Sequence, residues 1–178
     1  PLEGEVMHPD LTAMYKAPPK GTASERHVPM PKTTTPHLFQ VAVGARDRLR
    51  DEFGRKWRAE GLDVLLCPAW AYPAPPVEEV RNLTWSVRST QMFNLLDYPA
   101  GVVPVTTVTS ADLSIAYDPG TDDSQLSDAA LRAVGSSAGL PVALQLVAPP
   151  WEEELCLHAM SELSAAMPFD STQHARLQ

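Results

Sequence analysis

Apolar positions recur every four residues at Val41, Ala45, Leu49, Phe53 and Trp57. That spacing predicts a helix with one apolar stripe. The other face carries Arg46, Asp47, Arg48, Arg50, Asp51, Glu52, Arg55, Lys56, Arg58 and Glu60. Asp51–Arg55 and Glu52–Lys56 are acid-before-base pairs one turn apart, which support a helix, and Gly61 suits its C-cap. Val64-Leu65-Leu66-Cys67 is a short unbroken apolar run closed by Pro68. Directly after a helix it reads as a central strand buried on both faces. The proline-rich stretch from Pro68 to Pro76 is then a loop at the C-terminal end of that strand, either a ligand-lining loop as is common in α/β proteins or a plain surface crossover.

Leu83, Val87, Phe93 and Leu96 predict a second helix over 82–96, with Asn82 or Thr84 as N-cap. Asp97-Tyr98-Pro99-Ala100-Gly101 breaks it. Val102 to Val108 is rich in β-branched residues and predicts a strand. Pro104 removes a ladder donor, so this strand belongs at a sheet edge or carries a bulge. Residues 109–138 form a polar, acidic insertion with one short helix from about Gln125 to Val134, closed by Gly135. Leu140 to Ala148 alternates and predicts another strand. Trp151 to Met167 predicts a last helix, with Leu155, Ala159, Leu163 and Ala166 as its buried stripe and glutamates countering the dipole at its start. Residues 168–178 are expected to fray.

Residues 1–40 show no such period. They hold Pro1, Pro9, Pro18, Pro19, Pro29, Pro31 and Pro36 and predict a proline-rich loop or extended segment. So long an opening without structure is uncommon in a compact domain, which points to a surface excursion or to a packing partner elsewhere. The order is loop, helix, strand, helix, strand, insertion, strand, helix, an α/β or mixed layering. Three strands are few for so many helices, so the sheet is expected to continue outside these residues. The start at Pro1, without Met, gives the same expectation of a piece of a longer protein.

Composition narrows the function classes. Of 178 residues, 44% are hydrophobic and 20% charged, a globular balance. The net charge of −8 disfavours nucleic acid, because phosphate neutralisation needs a surplus of Lys and Arg. The arginines of 46–58 are interleaved with acids, as on a solvated face. Cys67 and Cys156 are too few for a disulfide framework or a zinc site and read as buried thiols of a reducing compartment. The five histidines show no metal spacing, and phosphate-binding, dinucleotide-binding and hydrolase-elbow motifs are absent. Gly135-Ser136-Ser137-Ala138-Gly139 places two serines among small residues, as a nucleophile loop would. A serine nucleophile needs a base. With no Lys or His nearby in sequence, a helix-to-strand turn is the preferred reading.

Three blocks carry a resemblance. Phe93-Asn94-Leu95-Leu96-Asp97-Tyr98-Pro99-Ala100-Gly101-Val102-Val103-Pro104-Val105-Thr106-Thr107-Val108-Thr109 resembles the carboxy-terminal part of fatty acid amide hydrolases, in the amidase signature family. Gly139 to Val147, followed by Trp151-Glu152-Glu153-Glu154-Leu155-Cys156-Leu157, resembles their next block. Asp63 to Pro68 fits the strand before both. Fungal acetamidase-like members share a looser form of the Asn-Leu-Leu-Asp-Tyr-Pro run.

The resemblance implies an α/β fold, the C-terminal part of the amidase signature fold, with a mixed β-sheet core covered by helices and incomplete in this chain. The amidase portion is expected over 41–167. The implied chemistry is hydrolysis of carboxylic, including fatty acid, amides by two serines and a lysine. That machinery lies upstream in the family and has no counterpart here, so no catalytic residue is assigned. Counting back from Asn94, the family's acyl-channel positions fall on Thr84, Val87 and Gln91. These share one helical face. Gln91 stands where an aliphatic residue is expected, and a buried glutamine there would favour a shorter or more polar substrate. No cofactor and no metal are implied. The expected partners are a small-molecule amide and a second copy in a homodimer, with no nucleic acid. Membrane association has little support, because residues 1–35 lack an amphipathic stripe. The setting expected is intracellular, cytoplasmic or membrane-associated. The insertion from Ser110 to Ala138 departs from the family pattern. The alternatives are a general short-chain acetamidase and a non-catalytic truncated remnant.

Overall fold

The computed structural model describes residues 35–80, 83, 88–115 and 124–170. Helix α1 spans Pro36–Ala59. It begins inside the stretch expected as loop because the local chemistry starts a helix there. Thr35 is extended, its hydroxyl accepts from the Leu38 N–H at 3.2 Å, and a proline fills the first turn. At the other end Gly61 takes φ 65, with Gly61 N–H donating to the Arg58 carbonyl and Leu62 N–H to that of Trp57. This is the glycine-closed helix end expected from sequence.

The four-residue stripe of α1 is only half used. Trp57 is buried and Phe53 partly buried, but Val41 and Leu49 stay 53% and 46% exposed. A spacing of four overshoots the helical turn by about 40° per step, so five such residues wind around the helix.

Strand β1 is Leu65–Pro68, β2 is Ala100–Thr107 and β3 is Pro141–Val147. They form one sheet in the order β1-β3-β2, and both neighbours run antiparallel to β3. The expectation of a central β1 is not met among the described residues: there β1 pairs with β3 alone, and Leu66 is 52% exposed. An unbroken apolar run cannot distinguish a strand buried on both faces from an alternating one. The central place belongs to β3, where Gln145, Leu146 and Val147 are buried in succession. Pro104 behaves as expected. It lies on the flanking strand β2, at a register irregularity between Pro104 and Thr106.

Helices cover both faces. On one, Trp57, Phe93, Leu96, Tyr98 and Val147 form the core, with Phe53, Leu65 and Cys67 against it. Tyr98 meets Phe53 edge-on at 5.3 Å and lies 5.4 Å from Trp57. Helix α2, Arg88–Leu96, supplies Phe93 and Leu96. The earlier part of the helix predicted over 82–96 lies mostly outside the described residues, including both candidate N-caps. On the opposite face packs α4, Glu153–Ala166. It buries Cys156, whose thiol faces the Leu146 carbonyl at 3.6 Å. Leu155, Ala159 and Leu163 are half-buried as expected, whereas Ala166 is exposed in the last turn. The helix starts after Trp151, which sits at φ 71.

The acidic insertion earns a structural role through α3, Ser124–Gly135. Ala129, Ala130 and Ala133 are fully buried with Leu83, and Tyr72 packs on them. Small side chains there let the helix approach the segment after β1.

Candidate functional site

Two surfaces flank the first core. One is a concavity of about 330 Å³ at the C-terminal end of β1. It is lined by Ala69 to Ala74 on one side and by Pro141, Val142 and Ala143 on the other. The loop after β1 thus borders a hollow, at the place the sequence pointed to. That loop is clamped. Tyr72 packs into the alanine cluster, and Glu79, 8% exposed, receives both Nε and Nη2 of Arg132 from α3. The paired hydrogen bonds raise the affinity of the Arg132 guanidinium for its proton. Among the described residues, the Trp70 indole N–H, buried in this loop, has no hydrogen-bond partner.

The second surface is the outer face of α2. Gln91 is exposed there, and Leu95, one turn later, is 48% exposed. Met92 beside them is 41% exposed. Thr84 and Val87 lie outside the described residues. Among the described residues nothing covers Gln91.

The buried glutamine is Gln145, 2% exposed on the central strand. Its Nε2 faces the Cys67 thiol and the Ser89 carbonyl, each at 3.4 Å. One amide thereby links β3 to β1 and to the first turn of α2. The sequence carried a signal for it: a lone amide within Leu144-Gln145-Leu146-Val147 must find partners once that strand is buried.

The serines of 135–139 have ordinary duties. Ser136 Oγ donates to the Arg132 carbonyl at 2.9 Å, and Ser137 Oγ to that of Val134 at 2.6 Å. Ser137 is fully buried. These hydroxyls close the end of α3, and among the described residues neither is hydrogen-bonded to a Lys or His. Burial pushes the Cys156 thiol above its usual range, so it stays protonated and unreactive at neutral pH. Cys67 is half-buried and also free. Among the described residues no cluster of His, Cys, Asp or Glu could hold a metal, and no helix is long and apolar enough to cross a membrane.

The amidase family model matches residues 16–157, a span that contains both surfaces and all three strands. The chain belongs to the amidase family. Among amidases it is similar to fatty-acid amide hydrolase 1 of Sus scrofa, 43% identical over 113 residues, or 63% of this chain and 19% of the relative. It is 35% identical over 118 residues to fatty acid amide hydrolase 1 of Caenorhabditis elegans, covering 66% and 21%. An amidase of Gibberella moniliformis is 33% identical over 110 residues, covering 62% and 17%. A solved fatty acid amide hydrolase structure superposes with TM-score 0.57 at 25% identity, covering 78% of this chain and 24% of the other. The chain spans about a fifth of the length of the curated relatives it matches. Its partial α/β arrangement is that of the amidase signature fold.

Proposed function

We propose that these residues build part of the substrate wall of an amide hydrolase, which converts a carboxylic amide and water to an acid and an amine or ammonia. The outer face of α2, with Gln91 and Leu95 one turn apart, contacts the acyl part of the substrate. Thr84 and Val87, which lie outside the described residues, are assigned to the same wall on the sequence resemblance alone. One observation carries this reading. Phe93 and Leu96 fix the inner face of α2 in the core at 2% and 1% exposure, while Leu95 and Met92 stay open on the other side. A helix held in the core by one face that leaves Leu95 and Met92 open beside Gln91 is suited to line a channel. Likeness to two fatty-acid amide hydrolases supports a long acyl group. The contribution is to binding and alignment, since no described serine has a base.

The reading is tested by comparing hydrolysis of oleamide and acetamide by the natural protein that carries this sequence. A higher kcat/KM for oleamide supports it. Turnover of acetamide alone assigns a short-chain amidase and overturns the fatty-acyl reading, and no turnover of either overturns the hydrolase reading.

A further inference from the structure

We propose that Gln145 is a positioning residue for the substrate wall, setting the height of α2 above the sheet through its hydrogen bond to the Ser89 carbonyl. The inference rests on the reading of α2 as that wall. Gln145 occupies the middle of the sheet, paired in register with Cys67 on β1 and Val102 on β2. Its side chain leaves the same face as Val147, the face on which α2 packs. Hydrophobic contacts at Phe93 and Leu96 hold the C-terminal half of α2. They are non-directional and tolerate sliding. A hydrogen bond is not, and this one falls in the first turn, two residues before Gln91. It lies at the start of the helix, away from the well-packed end, so it fixes the tilt of the face that carries Gln91 and Leu95.

A buried amide is costly unless its donors are used. Nε2 has two acceptors, the Ser89 carbonyl and the Cys67 sulfur. Sulfur accepts weakly. The oxygen contact therefore carries the direction, and Cys67 serves as the filler of the second donor site.

The test uses Gln145→Met and Gln145→Asn in the natural protein. Methionine keeps the length and volume without the donors, and asparagine keeps the amide but falls short of Ser89. KM and kcat are measured for oleamide and for acetamide, with the melting temperature alongside. The expected result is a rise of about tenfold or more in KM for oleamide in both variants, with kcat for acetamide within about twofold, because displacing a binding wall by an ångström costs substrates that contact it. Cys67→Val, which removes only the sulfur acceptor, is expected to keep the wild-type preference. Unchanged oleamide-to-acetamide ratios in the Gln145 variants overturn the proposal. So does an equal loss on both substrates, or failure of both variants to fold, since Gln145 would then serve the fold as a whole. An equal shift in Cys67→Val also overturns it. If the wild-type protein hydrolyses neither amide, it is the hydrolase reading that falls.

Discussion

Gly101 and Met160 face each other so closely that a Cβ on Gly101 would lie 2.1 Å from the methionine Sδ. Gly101 lies on β2 and Met160 on α4, so the missing side chain is what lets this helix settle on the sheet. Gly101→Ala should force the flexible end of Met160 aside and cost on the order of 1 kcal/mol. In a Met160→Ala background the same substitution should cost measurably less. Urea unfolding of the four proteins of this cycle checks it, and additive effects would show that the two residues do not oppose each other.

Asp97 closes α2 in the left-handed region at φ 57, with Tyr98 N–H donating to the Phe93 carbonyl at 3.0 Å. Its carboxylate also receives Arg50 Nη1 at 2.7 Å. The strain of the first and the exposed ion pair of the second are of similar size. Asp97→Gly should therefore leave stability within about 0.5 kcal/mol, relieved strain offsetting a lost surface pair. Asp97→Val keeps the strain and loses the pair, and should destabilise by about 1–2 kcal/mol. Equal unfolding midpoints for the two variants would contradict this.

Burial raises the proton affinity of both Cys156 and Tyr98, against a smaller opposing pull on Tyr98 from Arg58 and Arg50. Each group therefore holds its proton more tightly folded than unfolded. The stability this gives is complete below the ordinary thiol value near 9.0 and is lost as pH rises through the folded values. Unfolding midpoints should be flat near neutrality and fall above about pH 9. Cys156→Ala should shallow that fall. A slope untouched by the substitution would exclude the thiol as a contributor.

Arg132 of α3 holds Glu79 and with it the segment after the concavity. Arg132→Met should loosen that segment. Hydrogen exchange at the Val80 and Leu83 amides, which donate to Val77, Glu79 and Val80 carbonyls, is the readout. Faster exchange is expected, and unchanged protection would mean that the Tyr72 contact suffices.

Most elements were legible because local signals agreed. Pro104 announced an edge and an irregularity, Gly61 a helix end, and the alternation after Leu140 a strand. Pairing was less legible. Nothing in Val64 to Cys67 distinguishes an edge from a centre, since that depends on β3, about 80 residues later. The use of the acidic insertion was hidden because Ala129, Ala130 and Ala133 look unremarkable until Tyr72 and Leu83 meet them. At the candidate site, Gln91 was named by resemblance, and its exposure is a property of packing around α2. Gln145 was visible as a lone amide, but its partner Ser89 contributes only a backbone oxygen, which no side-chain pattern can announce.

The outer face of α2 as an acyl wall is tested most directly by Leu95→Asp in the natural protein. Leu95 is 48% exposed, so the fold should bear the charge with little loss of melting temperature. The account predicts a fall on the order of tenfold or more in kcat/KM for oleamide, as a carboxylate replaces an apolar contact, with acetamide turnover nearly unchanged. An unaltered preference between the two amides would contradict it.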